Sequence, residues 1–342
     1  MKKALVLGAT AVAFGMGIAA PLTAAPVKLK FGIFTPAKEP TYKAVMVPFA
    51  REATRDSNGT IQIDTFPGGS LGKNPRAQLK LAIDGVVDMT WIVPSYTPGR
   101  FPDNGVFELP GLFNNVQESS HTIWRMFEKN LLRGYQNVFV VSLFLTHPYF
   151  IHAKPKVTKL SDLKGLKIRA AGPVFGASIR ALGAVPVGMP APAIAENISR
   201  GVINGAALEW NGHYAFRTKD VAKFTLISNS GSGLLGTVPL ATVMNKKIFD
   251  GLPADGRKSI LKHHGLEMTK RFAKLHDAIN KKLRTATEKN PDHTVTRLSA
   301  DEQNRFDSIM KTVVADWEKR HDRGKELLAA VRSEVRAIRA GK

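Results

Sequence analysis

The chain has 342 residues, a formal charge of +21 and no cysteine. Disulfides, thiolate metal sites, a cysteine nucleophile and a lipid-modified cysteine are therefore excluded, and stability must come from an ordinary core. The lysines and arginines are spread along amphipathic segments and form no basic block interleaved with stacking aromatics, which argues against a nucleic-acid partner and for solubility and attraction of anionic solutes.

The N-terminus reads as an export signal, residues 1–24. Lys2 and Lys3 precede an uncharged Ala/Gly/Val-rich run, Ala4 to Ala20, and Leu22-Thr23-Ala24 offers small residues for cleavage before Ala25. The run is at the short limit for spanning a bilayer. Loss of Lys2 and Lys3 leaves +19, and enough chain for two lobes.

Pro26 to Ile33 alternates as a strand does, and a Pro-containing loop leads into a helix through Thr54. Thr60 to Asp64 predicts a second strand, Arg76 to Asp84 a helix, and Val86 to Ile92 a third strand. This βαβ pattern predicts a parallel sheet, with ligands beyond the carboxyl ends of its strands. The loops at those ends are Phe34–Thr41, Phe66–Asn74 and Pro94–Pro102. A second α/β set follows, with strands at Asn137–Leu145, Tyr149–Ala153, Leu166–Ala170 and Val202–Trp210. Leu240 to Met244 returns the chain to the first lobe, and two crossings are what a hinge needs. Met268, Phe272, Leu275, Ile279 and Leu283 mark an apolar stripe on a helix expected from Ala254 to Glu288, about 50 Å long at ~1.5 Å per residue.

Two segments carry the chemistry. Leu160 to Ala170 puts Arg169 on the last position of a short apolar strand, and Gly201 to Gly212 carries Trp210 at the end of another. A guanidinium matches a carboxylate with two parallel hydrogen bonds, and an indole supplies a flat wall. Both segments, with Phe66-Pro67-Gly68-Gly69-Ser70-Leu71-Gly72, Thr97-Pro98-Gly99-Arg100-Phe101-Pro102, Phe107-Glu108-Leu109-Pro110 and Val243-Met244-Asn245-Lys246, resemble the solute-binding subunit of tripartite ATP-independent periplasmic (TRAP) transporters, of the dicarboxylate-binding type, from about Leu29 to about Leu327. The resemblance implies a two-lobed α/β fold like that of type II periplasmic binding proteins, with a long helix connecting both lobes. Residues 25–145 and 236–275 would form lobe I, and 146–235 with 276–342 lobe II.

In that family the arginine of Gly165-Leu166-Lys167-Ile168-Arg169 clamps the ligand carboxylate. The strand motif around the tryptophan commonly has an aspartate, a proline and a following glutamate where Asn204, Glu209 and Asn211 stand here. Loss of that last acid favours an anionic ligand or provides an amide donor. Tyr96 could offer a hydroxyl across the cleft, with Arg100 pairing structurally to Asp103 or Glu108. His147, Tyr149, Phe150 and His152 cluster near the expected hinge. His147 could replace a second basic contact, since histidine is neutral or cationic near neutral pH. The local aromatics suit a ligand with an apolar or aromatic body and weaken the case for a small C4-dicarboxylate. Met244 and Asn245 would lie near the cleft.

The expected ligand-binding set is thus Arg169, Trp210, Asn211, Tyr96, His147, Phe150, Met244 and Asn245, with no metal, no cofactor and no catalytic residue. Gly68-Gly69-Ser70-Leu71-Gly72 fits G-x-S-x-G, but Pro67 and Pro75 flank it where a nucleophile elbow needs a strand and a helix. The resulting reading is a monomeric periplasmic binding protein that delivers a carboxylate-bearing organic acid to TRAP membrane permease subunits. The alternatives are a receptor for an ATP-driven importer or sensor, and an exported hydrolase using Ser70.

Overall fold

A computed structural model describes residues 25–230 and 233–341; the expected export signal lies outside the described residues. The first sheet has strand order β2-β1-β3-β10-β4. β1 (Val27–Gly32) pairs in parallel with β2 (Ile61–Phe66) and β3 (Met89–Ile92), as the βαβ pattern predicted. The intervening helices are α1 (Val47–Arg55), entered through a wide turn at Tyr42–Met46, and α2 (Gln78–Ile83). After α3 (Val116–Glu128), β4 (Val138–Leu145) closes the edge of this sheet.

The second sheet runs β11-β9-β5-β8-β6-β7. β5 (Phe150–Ala153) is antiparallel to β8 (Gly205–Leu208) and β9 (Phe224–Ile227). β6 (Lys167–Ala170) is parallel to β7 (Val185–Gly188) and β8. Helices α4 (Pro173–Ala181), α5 (Ile194–Ser199) and α6 (Trp210–Ala215) connect these strands. β10 (Pro239–Asn245) then returns to the middle of the first sheet, antiparallel to β3 and β4.

The C-terminal third is helical: α7 (Lys246–Gly251), α8 (Ala254–His263) and α9 (Leu266–Glu288), then the edge strand β11 (Thr294–Arg297), α10 (Ala300–Arg320) and α11 (Gly324–Arg339). The single helix expected from Ala254 to Glu288 is broken at His264-Gly265. Gly265 has φ +74°, and a Cβ there would lie 3.1 Å from the Trp124 ring, so the position both permits the turn and requires a glycine. The remaining helix α9 has 23 residues and is about 35 Å long at ~1.5 Å per residue. It still joins the two halves, packing on α3 and β4 at one end and on α6 and β11 at the other. α10 lies on α4, and α11 returns to α3.

Candidate functional site

Arg169 sits on β6, paired with Val187 of β7 on one side and Ala206 of β8 on the other. The strand is interior to the sheet, so the side chain leaves it at the carboxyl end with no access to solvent. Nε donates to Met189 O at 2.8 Å, Nη1 to Ala207 O at 3.0 Å, and Nη2 to the Tyr96 hydroxyl at 3.1 Å. The Tyr149 hydroxyl is a fourth hydrogen-bond neighbour. All four are neutral. A buried cation satisfied only by neutral dipoles has lost its hydration without gaining a counter-charge. The acid that feels it electrostatically is Glu108, whose own burial pushes its carboxyl up to about 7 although Arg169 pulls the other way. Near neutral pH it is a partial counter-charge at most.

Tyr96 reaches Arg169 from the opposite half of the molecule. It ends the 3₁₀ turn Pro94–Tyr96 that follows β3, so it stands beyond the carboxyl end of a first-sheet strand. Its hydroxyl accepts from Arg169 Nη2 and also from Ala191 N–H at 2.9 Å. Both acceptor positions are used, and its own proton remains to be donated to an incoming oxygen. Gly172, at the entrance to α4, faces Ser95 and Glu108 in the same way: a Cβ there would lie 3.0 Å from Glu108 Oε2 and 3.1 Å from Ser95 Cβ.

Tyr96 and Tyr149 help wall a cavity of about 50 Å³ between the two halves. At ~10–15 Å³ per water-sized group this is room for about three to five such groups, so a ring-sized ligand requires the two halves to part further. Phe34, Trp91 and Phe216 supply further aromatic walls, and Trp91 is fixed by stacking on Phe34 (6.0 Å) and Phe144 (5.7 Å). Two larger pockets, about 750 and 890 Å³, flank α10, and neither is lined by Tyr96 or Tyr149.

The polar part of the cavity wall is acidic and neutral, with no lysine or arginine among its lining residues. Three donors converge on Glu39: Tyr42 N–H at 2.8 Å, Thr41 Oγ1 at 2.7 Å and Asn211 Nδ2 at 2.9 Å. His276 Nε2 lies 3.3 Å from Thr41 Oγ1, and burial holds this imidazole down at about 4 and hence neutral. Glu209 caps α6, its carboxylate accepting the Asn211 and Gly212 N–H groups. Burial raises Glu209 to about 7 against the pull of those bonds, and the nearby charge of Glu39 adds to the rise. Asn280 of α9 accepts from Trp210 N–H at 3.0 Å and so ties the long helix to the same cap.

Of the residues expected from the sequence, Tyr96 and Asn211 line the cavity, and Arg169 lies outside the lining and reaches it through its bond to the Tyr96 hydroxyl. Trp210 and Phe150 form a small cluster with Ile227 and are outside the cavity lining, their rings 5.0 Å apart. The cause is local: β8 stops at Leu208, Glu209 caps a helix, and Trp210 becomes its first residue instead of a strand end. His147 stacks on Phe150 at 5.6 Å, bonds Pro148 O, and is pushed by burial toward its neutral form, which does not make it a second clamp. His152 is buried between Thr225 and Leu208 O.

Met244 and Asn245 lie at the opposite end of β10 from Val238 and Leu240, which line the cavity. Met244 is in the sheet core, and Asn245 caps α7 and donates to Ala82 O. Asp103 is held by Arg133 and Arg323 and not by Arg100, because the Pro102–Glu108 turn directs it toward the base of α11. Those two arginines also answer the acids of the Asp103, His321 and Asp322 group, which otherwise has the spacing to hold a cation. Ser70 is exposed in a turn after two glycines with positive φ, well before α2 begins, so it is no nucleophile elbow.

The residues that sequence reasoning missed are Glu39, Trp91, Glu209 as a cap, and His276. Glu39 lies in the Phe34–Thr41 loop, already marked as a carboxyl-end loop. His276 had no signal, because it shares a helical face read only for its apolar members.

A cavity between two α/β halves, joined by several crossings and walled in part by a buried arginine's partners, defines a two-lobed solute-binding protein. The chain belongs to the bacterial extracellular solute-binding protein family 7, whose model matches residues 31–320. It is 27% identical over 259 residues, 75% of each chain, to the C4-dicarboxylate-binding periplasmic protein DctP of Rhodobacter capsulatus. A TRAP solute-binding protein from a marine metagenome, specific for aromatic acids and crystallised with metahydroxyphenylacetate, superposes with a TM-score of 0.85 at 29% identity, covering 91% of this chain and 99% of that one. A TRAP solute-binding protein from Rhodoferax ferrireducens, crystallised with copurified benzoate, gives 0.85 at 30%, covering 91% and 98%. Among the described residues no helix is long and apolar enough to cross a membrane.

Proposed function

We propose that this protein captures a compact aromatic monocarboxylate between its lobes and delivers it to the membrane subunits of a TRAP transporter, without chemistry on the ligand. The observation that carries the reading is Arg169: a fully buried guanidinium whose hydrogen-bond partners are neutral, set behind an aromatic cavity. A ligand carboxylate supplies the missing counter-charge, and the Tyr96 proton supplies a second contact to it. Phe34, Trp91 and Phe216 then face a ring. Residues 1–24 would direct export and be removed.

A C4-dicarboxylate, the ligand in the name of the Rhodobacter capsulatus relative, fits this cavity poorly. Its second carboxylate would meet Glu39 and Glu209 with no cation in the lining to answer it. Like charges held in a low-dielectric site repel strongly. The test is a thermal-shift screen of the unliganded mature protein against benzoate, phenylacetate, mandelate, succinate and malonate. Aromatic monocarboxylates are expected to raise the melting temperature and the aliphatic dicarboxylates to leave it in place, because only a ligand of the folded form stabilises it. The reverse order refutes the reading.

A further inference from the structure

Four of the side chains walling the cavity carry a buried polar atom with no protein partner: Thr35 Oγ1, Trp91 Nε1, Asn211 Oδ1 and His276 Nδ1. Unpaired polar atoms of this kind are costly to bury, so several at one cavity mark a place where a ligand completes the bonding.

The surrounding network decides what two of these atoms can do. Glu39 offers only acceptor oxygens to the donors around it. The Asn211 amide therefore turns its NH₂ toward Glu39 Oε1, which leaves the carbonyl Oδ1 without a protein partner at the cavity wall. Thr41 has one hydroxyl proton, and it goes to Glu39 Oε1 at 2.7 Å. Its contact with His276 at 3.3 Å must then run the other way, with Nε2–H donating to Thr41 Oγ1. A neutral imidazole that donates from Nε2 presents a lone pair at Nδ1. Burial keeps the ring neutral. Asn211 Oδ1 and His276 Nδ1 are thus both fixed as acceptors by a chain of bonds that ends on one carboxylate. Trp91 Nε1 can only donate, and Thr35 Oγ1 can do either.

We infer that the carboxylate ligand carries, besides the acid group met by Arg169, a neutral hydroxyl that donates to the Asn211–His276 acceptor pair. A hydroxyl both donates and accepts, so it also suits the Trp91 N–H and the Thr35 hydroxyl. A second carboxylate offers no donor. An ammonium offers no acceptor to Trp91, and a neutral aromatic amine, its lone pair drawn into the ring, is a poor one; Glu39 is already bonded by three donors. The inference rests on the aromatic-acid reading and narrows it to hydroxylated acids.

The experiment is isothermal titration of the unliganded mature protein with benzoate and its 2-, 3- and 4-hydroxy derivatives, beside the matching amino-substituted acids. The expected result is that one hydroxybenzoate binds at least about tenfold more tightly than benzoate, since a site built to bond a hydroxyl discriminates strongly against the analogue without one. Asn211→Leu and His276→Phe should each collapse that ratio toward one. The ratio is read within one variant, so a general loss of affinity does not mimic the effect. Benzoate equal to every hydroxy derivative overturns the inference and leaves the aromatic-acid site standing, as does an amino derivative that binds most tightly. Binding of none of these acids overturns the aromatic reading itself.

Discussion

Replacing Arg169 with methionine isolates the interaction on which ligand capture depends. The substitution keeps much of the volume and removes the charge, along with donors to Met189 O, Ala207 O and the Tyr96 hydroxyl. Two stability terms oppose each other in the unliganded protein. The cost of burying a cation among neutral partners disappears, while three acceptors lose their donors. The melting temperature of the unliganded variant should therefore move little compared with the loss of binding. With ligand present the terms no longer cancel, because the ligand carboxylate would be buried with no cation beside it. Truncating one partner of a buried charge pair costs about 2–5 kcal/mol, which is roughly 30-fold to several thousand-fold in Kd. Titration calorimetry with the tightest acid found for the wild type reads this directly, and the ligand-induced thermal shift should vanish in parallel. An Arg169→Met protein that melts like the wild type and binds within threefold of it would refute the role given to this side chain.

Tyr96→Phe removes the hydroxyl that bridges Arg169 and the Ala191 amide, and should weaken binding by about 1.5–3 kcal/mol, the usual worth of a hydrogen bond to a charged group, as read by calorimetry. Gly172→Val should oppose closure, since its side chain would run into Ser95 and the Glu108 carboxylate; the expected result is an affinity loss of at least about tenfold with circular dichroism unchanged. Glu108, raised to about 7 from 4.5, binds a proton in the folded state that the unfolded chain has released, so its contribution is complete below about pH 4.5 and disappears as pH rises through about 7. Glu108→Gln should gain stability relative to the wild type between pH 5 and 8, by up to ~3 kcal/mol; a pH-independent difference in denaturation midpoint would contradict the raised value. Ser70→Ala should change neither binding nor stability by more than ~0.5 kcal/mol, and loss of either would reopen a role for that turn.

The first sheet was legible because each of its early strands alternates or runs apolar between turn residues, and the parallel pairing of β1 with β2 and β3 follows from the helices between them. Arg169 stood out through the Gly165-Leu166-Lys167-Ile168-Arg169 motif, since a charge ending an apolar strand is by itself as easily a surface residue; its complete burial is what the fold adds. The misreadings share a cause: a polar residue that satisfies a backbone leaves no mark in hydropathy. Glu209 ended β8 two residues early by capping α6, which swung Trp210 out of the cavity wall. On α9 the buried face includes Thr269, His276 and Asn280, polar groups paid for by hydrogen bonds to Leu143 O, Thr41 and Trp210 N–H, whereas Leu275, Ile279 and Leu283 are only partly covered. Gly265 broke an otherwise continuous helical pattern through its positive φ, with the Trp124 ring against it.

The phenol of Tyr96 links one half of the molecule to a cation and an amide on the other. Such a clasp favours the shut arrangement by itself, and arriving cargo adds to that bias. Whatever loosens that clasp is then expected to shorten the stay of every ligand alike.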